Sequence, residues 1–153
     1  MPGSDIFKSM KMKVTQFLII TLVIFSWKPA WSCFDLASET YNVPVKLLKA
    51  IAKVESDNND LAINVNKNGT RDIGKMQINS IWLAELEKYN IHENDLLDPC
   101  QNIFVGAWIL RFYIDKYGYN WKGIGAYHST TPALNRRYAW KIYKNIMGRA
   151  KTK

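Results

Sequence analysis

Residues 50–56 read AIAKVES and put a carboxyl where helices seldom carry one. Glu55 follows Ile51 and Ala52 by one helical turn and Leu48 by two, so it continues an apolar stripe close to its end. Dehydrating an unpartnered carboxylate is costly, and the last turn of a helix adds the negative end of the macrodipole. Both effects favour the protonated form, which near neutral pH can donate a proton to a leaving group. The spacing alone favours a half-exposed glutamate that simply ends an amphipathic stripe.

A second run, DIGKMQIN at residues 72–79, carries groups that suit a polar ligand. Gly74 permits close backbone approach, Gln77 and Asn79 offer amide donors and acceptors, and Met76 and Ile78 alternate with them as core anchors. Asp72 begins the run as a possible second carboxylate for acid–base work. It could equally cap a turn or accept backbone hydrogen bonds. Asp57 and Asp60 look like solvated loop residues. Two later segments, GAYHS at 125–129 and RRYAWKIY at 136–143, supply Tyr127, His128 and Tyr138.

These groups need elements to hold them. CFDLASETYN at 33–42 reads as a short helix, and Pro44 suits the first turn of a second helix running through VKLLKAIAKVES. The Asn- and Asp-rich stretch 57–72 contains Asn68-Gly69 between the alternating runs AINVN and TRDIG, which predicts a small β-hairpin. MQINSIWLAELEKY at 76–89 reads as helix, with Ser80 a possible cap. A long helix follows from Asp98 as cap and Pro99 at the first helical position to Gly118, burying Ile103, Ala107, Leu110 and Ile114. NWKGIGAYHS gives a short helix, and ALNRRYAWKIYKNIM the last one. The expected class is α+β, predominantly helical, with a small hairpin insert.

The chain of 153 residues suits one domain preceded by a removable leader. KMK, then the apolar run VTQFLIITLVIF, then Ala30-Trp31-Ser32 as a small-x-small site describe a secretory signal peptide over residues 1–32. The domain would then cover 33–148, with a basic tail at 149–153 and no stable membrane insertion once the leader is cut. Lys8, Lys11, Lys13, Lys28 and Asp5 would leave with the leader, lowering the net charge from +8 to about +5. That excess suits an anionic partner, but no helix-turn-helix, finger or RNA-binding signature supports nucleic acid. Cys33 and Cys100 are the only cysteines; in an oxidising compartment they most simply form one disulfide, and they lack metal-ligand spacing.

LLKAIAKVES, DIGKMQIN about twenty residues on, LLDPCQNIFVGAWIL, GAYHS and the tyrosine of RRYAWKIY together resemble the lysozyme-like lytic transglycosylases. They are most similar to small exported members that accompany type III secretion and conjugation machines. The resemblance spans nearly all of residues 33–147. It implies a lysozyme-like fold, a periplasmic location, peptidoglycan glycan strands as substrate, components of an envelope-spanning machine as partners, and no cofactor or metal. It places the catalytic glutamate at Glu55 with Ser56 beside it, and the groove-lining segment at Gly74, Lys75, Met76, Gln77, Ile78 and Asn79. Tyr127, His128 and Tyr138 correspond to the family's later motifs. Lys75 replaces an apolar residue, the aromatic often found shortly after Glu-Ser is missing, and His128 stands where Asn is common.

The implied reaction cleaves the β-1,4 bond between N-acetylmuramic acid and N-acetylglucosamine and leaves a 1,6-anhydro end. Glu55 serves as acid and then base, Tyr127 and Tyr138 hold the intermediate, and Gln77 and Asn79 position the sugar. Asp72 opens the alternative of a muramidase that hydrolyses the same bond. A catalytically idle peptidoglycan-binding module and a cationic membrane-active protein are the readings from other classes. Trp82, Trp108, Tyr119 and Trp121 suit core or rim better than sugar stacking, and Lys75, Arg136 and Arg137 suit solvated surface better than peptide carboxylates.

Overall fold

The computed structural model describes residues 32–148. The expected basic tail, and the expected leader apart from Ser32, lie outside the described residues. Ser32 caps helix α1 (Cys33–Tyr41): its hydroxyl accepts the Asp35 N–H, and the Asp35 carboxylate accepts the Ser32 N–H at 3.1 Å. The residue read as the end of the leader is thus built into the first helix.

Helix α2 (Val45–Ser56) starts one residue after Pro44 and buries Leu47, Leu48, Ala50, Ile51 and Ala52. It ends where Asp57 and Asn58 turn left-handed at φ 58° and 64°, a conformation Asp and Asn tolerate. The predicted hairpin is present: β1 (Ile63–Val65) pairs antiparallel with β2 (Arg71–Ile73) in the register Ile63–Ile73, Asn64–Asp72 and Val65–Arg71.

The helix expected from Met76 does not form. Ile78–Asn79 is a third strand, β3, paired with β2 through Asp72–Asn79 and Ile73–Ile78. The Asn79 side chain, rather than Ser80, accepts the Ile81 N–H and starts a 3₁₀ turn at Ser80–Trp82. Only Leu83–Leu86 (α3) is α-helical there. Ser80 instead accepts the Arg71 N–H at 3.0 Å, tying the turn to β2. Strand pairing and a side-chain cap satisfy the backbone groups that a helix would otherwise have bonded.

Helix α4 (Pro99–Tyr117) follows the predicted bounds, with the Asp98 carboxylate accepting the Gln101 N–H at 2.7 Å. Ile103, Ala107, Leu110 and Ile114 are all buried. Helices α5 (Trp121–Ala126) and α6 (Pro132–Gly148) complete the order. The core joins Leu48 and Ile51 of α2, Leu110 and Ile114 of α4, Ile142 of α6, Ile73 and Ile78 from the sheet, and Met76 from the turn between β2 and β3.

Cys33 and Cys100 are disulfide-bonded with Cα atoms 5.2 Å apart, joining the starts of α1 and α4. Closing a loop of 67 residues removes unfolded-state entropy worth about 4 kcal/mol. The fold is α+β and predominantly helical, with a three-stranded antiparallel sheet against one end of the helices.

Candidate active site

Glu55 stands in the last turn of α2, which packs on α1 and α6. The carboxyl is half-buried, and Tyr138 of α6 donates its hydroxyl to Glu55 Oε1 at 2.5 Å. Burial pushes the Glu55 carboxyl up to about 7; the Tyr138 hydrogen bond opposes that shift, the negative charge of Asp72 adds to it, and Lys141 opposes it. The apolar position of Glu55 on the helix therefore carries the consequence expected of it. Ser56 does not turn into the groove: its hydroxyl donates to the Lys75 carbonyl at 2.7 Å and ties the helix end to the turn before β3.

That turn is built by close approach. Gly74 has φ +73°, and a Cβ there would lie 2.2 Å from Asn102 Nδ2 and 2.5 Å from the Leu96 carbonyl oxygen. Asn102, fully buried in α4, accepts the Met76 N–H at 2.7 Å and donates to the carbonyls of Ile73 and Leu96 at 2.9 and 2.8 Å. Met76, expected among the substrate-binding residues, has no exposed surface; it packs against Gly106, where a Cβ would come within 2.9 Å of it. Gly74 and Met76 shape the groove from beneath and present no side chain to a ligand.

Across from Glu55, in one groove of about 520 Å³, lies Asp72 on β2. Asn79 Nδ2 donates to Asp72 Oδ1 at 2.6 Å, and Asn66 Nδ2 donates to Asp72 Oδ2 at 2.9 Å. The second hydrogen of each amide goes to Thr70 Oγ1, at 3.2 and 3.1 Å. Asn79 is thereby fully committed, since its oxygen also caps the following turn. Gln77 lines the groove with an unusual φ of 50°, held by its own amide on the Gly74 and Ala62 carbonyls and by Asn64 Nδ2 donating to its oxygen. Both amides that sequence reading assigned to the sugar serve first to shape this wall.

The remaining wall is aromatic. Tyr127 donates to the Met76 carbonyl at 2.7 Å, so its hydroxyl is satisfied inside the protein. Its ring stacks on Tyr138, with centroids 6.5 Å apart, and the His128 imidazole lies parallel to Tyr138 at 4.9 Å. Burial holds both phenols well above the usual tyrosine range, so they act as neutral donors. Burial, followed by the nearby Lys141 charge, lowers His128 and keeps its ring neutral near pH 7.

Lys75 does not line the groove. Its largely buried side chain pairs with the partly exposed Asp60 at 2.6 Å and fastens the 57–62 loop to the turn. Asp57 pairs with Lys53 on the surface. Trp82 lines the groove and makes a T-shaped contact with Trp108 behind it, while Tyr119 and Trp121 are exposed outside it. Among the described residues no cluster of three or more His, Cys, Asp or Glu is placed to hold a metal. Asn66, Thr70 and Asn102 escaped the sequence reading. Their importance comes from partners across a hairpin or an α4 approach, and only the density of Asn in 57–72 hinted at the first two.

The family described as "Transglycosylase SLT domain" matches residues 32–145. Invasion protein IagB of Salmonella typhimurium is 42% identical over 135 residues, covering 84% of each chain. Protein IpgF of Shigella flexneri is 35% identical over 139 residues, covering 88% of this chain and 91% of its own. X polypeptide of Escherichia coli is 35% identical over 140 residues, covering 87% and 83%.

Proposed function

This chain belongs to the SLT transglycosylase family, a lysozyme-like fold acting on peptidoglycan, and from that premise we propose how its groove cleaves a glycan strand and for what purpose. The observation that carries the reading is the pairing of a half-buried Glu55, raised to about 7, with the Tyr138 hydroxyl on Oε1. Because Oε1 accepts that hydrogen bond, the acidic proton resides on Oε2, the oxygen left for a glycosidic oxygen. Glu55 donates this proton as the β-1,4 bond between N-acetylmuramic acid and N-acetylglucosamine breaks. The substrate's N-acetyl group shields the oxocarbenium-like centre. Glu55, now a carboxylate stabilised by Tyr138, removes the proton of the C6 hydroxyl, whose oxygen closes the 1,6-anhydro ring. Glu55 thereby regains its proton and is ready for the next bond.

Asp72 supports a second reading. With both oxygens held by Asn66 and Asn79, it is fixed against the groove as a charge that can face the developing cation. It either stabilises that cation without changing the product, or supports attack by water as in a muramidase. The muropeptide profile separates the two: anhydro ends support the transglycosylase route, reducing ends the hydrolytic one. If Glu55→Gln solubilises sacculi as fast as wild type while folding normally, the catalytic assignment is wrong and an idle binding module takes its place.

The biological setting belongs to the same proposal. The leader-like residues 1–32 and the Cys33–Cys100 disulfide support export to the periplasm. The similarity to a Salmonella protein named for invasion supports local opening of the wall for an envelope-spanning secretion machine.

A further inference from the structure

Charge in this chain is segregated along its length. Every Asp and Glu lies at or before Asp115, whereas Lys116, Lys122, Arg136, Arg137, Lys141 and Lys144 follow it without a single acid. Folding gathers several of these cations around a second cavity of about 840 Å³, between α5 and α6, which shares no lining residue with the Glu55 groove. Its wall holds Tyr117, Trp121, Trp140 and Tyr143, with Lys122 and Arg136 beside them. Trp140 and Trp121 are 56% and 44% exposed, far more than packing requires of a tryptophan. Among the described residues neither Lys122, Arg136 nor Lys144 has a carboxylate within 4.0 Å.

The two cavities are joined by aromatic contacts. Trp82 and Tyr113 line the groove and meet edge to face at 6.2 Å; Tyr113 stacks on Tyr117 at 6.3 Å, and Tyr117 belongs to the second cavity. Within that cavity Trp121 meets Tyr143 at 5.5 Å, and Tyr143 stacks on Trp140 at 5.1 Å. Cations sit along the same line: Lys116 and Lys122 over Tyr117, and Lys144 over Trp140. A run of ring faces interleaved with unpaired cations matches a partner that repeats apolar faces and carboxylates at intervals. A glycan strand with peptide stems does so, through the C–H faces of its pyranoses and the carboxylates of its stems.

We propose that this second cavity is a distal binding site for the peptidoglycan strand, seating sugar faces on Trp140 and Trp121 and stem carboxylates on Arg136 and Lys122, away from the bond being cleaved. The inference rests on the peptidoglycan reading above and adds a preference for long strands, because one strand held at two sites gains effective concentration at the second. Its anionic contacts weaken with salt.

The test compares wild type with Trp140→Ala/Arg136→Ala, both positions being exposed and outside the groove. On intact sacculi the double variant raises KM by about tenfold, the loss of one stacking contact and one ion pair. On a soluble muroglycan tetrasaccharide its turnover matches wild type. In the inactive Glu55→Gln background, the same pair of substitutions lowers co-sedimentation with sacculi at low salt, and thermal melting confirms that the fold is kept. Unchanged KM and unchanged co-sedimentation overturn the assignment and leave the cavity to an acidic protein partner. An equal fall on sacculi and tetrasaccharide also overturns it, since the substitutions would then act through the groove. Wild type that releases no muropeptides at all refutes the catalytic reading instead, while co-sedimentation of Glu55→Gln still reports on the distal site.

Discussion

Glu55 and Asp72 face one groove from scaffolds of opposite character. Glu55 comes from an apolar helix end and, among the described residues, receives a single side-chain hydrogen bond, from a buried tyrosine. Asp72 comes from a polar sheet and has an asparagine amide on each oxygen. The same functional group is thus given two tasks by its surroundings: desolvation makes one carboxyl a store for a proton, and a ring of amides makes the other a fixed acceptor. The negative Asp72 also helps to keep the proton on Glu55, so the two environments reinforce each other.

The contrast is broken most completely at Glu55. Glu55→Gln removes the transferable proton and lowers muropeptide release by about 10³-fold, within the range for a general acid, as measured by chromatography of digested sacculi. Asp72→Asn keeps the shape but removes the charge and faces a third amide to Asn66 and Asn79. A fall of about 10²-fold is expected, with anhydro ends persisting in the remaining product if the role is electrostatic. Tyr138→Phe removes the only side-chain donor on Glu55 among the described residues. Turnover drops by about tenfold, the scale of one hydrogen bond to a charged group, and the alkaline limb of the pH–rate profile moves upward because that bond holds the carboxyl down.

The same alkaline limb belongs to the wild type. On the proposed mechanism activity requires protonated Glu55, so the rate is expected to fall as pH rises through about 7. Stability follows with a definite sign. The folded carboxyl titrates near 7 and the unfolded one near 4.5, so the fold keeps a proton that the unfolded chain has lost in that window. Stability therefore declines as pH rises from about 4.5 to 7 and levels off above. Glu55→Gln abolishes this slope and is more stable than wild type by about 1–3 kcal/mol at pH 8, with little difference at pH 4, as measured by denaturant unfolding.

Much of this arrangement was legible before any coordinates. The stripe through Leu48, Ile51 and Ala52 located both the helix and the misplaced carboxyl, because burial of a regular helix face follows from spacing alone. Asn68-Gly69 located the hairpin, and Asp98-Pro99 with Gly118 bounded the long helix, because caps and turns are local. The run 76–89 misled because Ile78, Trp82 and Leu86 also keep helical spacing, and nothing local reveals that β2 will bond Ile78 and Asn79 instead. Arg136 and Arg137 read as solvated surface rather than as part of one cationic face, because the acids that face lacks are absent from a stretch too long to read as a cluster.

That a carboxyl would end an apolar helix stripe, that a polar hairpin would follow, and that two cysteines could pair all follow from residue order, since each depends on neighbours within a few turns or on simple counting. Tertiary packing set which hydroxyl meets Glu55, that Asn66 and Asn79 hold Asp72, and that Gln77, Asn79 and Ser56 support the groove through their bonds to its walls. Those outcomes depend on contacts spanning up to 83 residues, where the approach of whole elements sets which donor finds which acceptor.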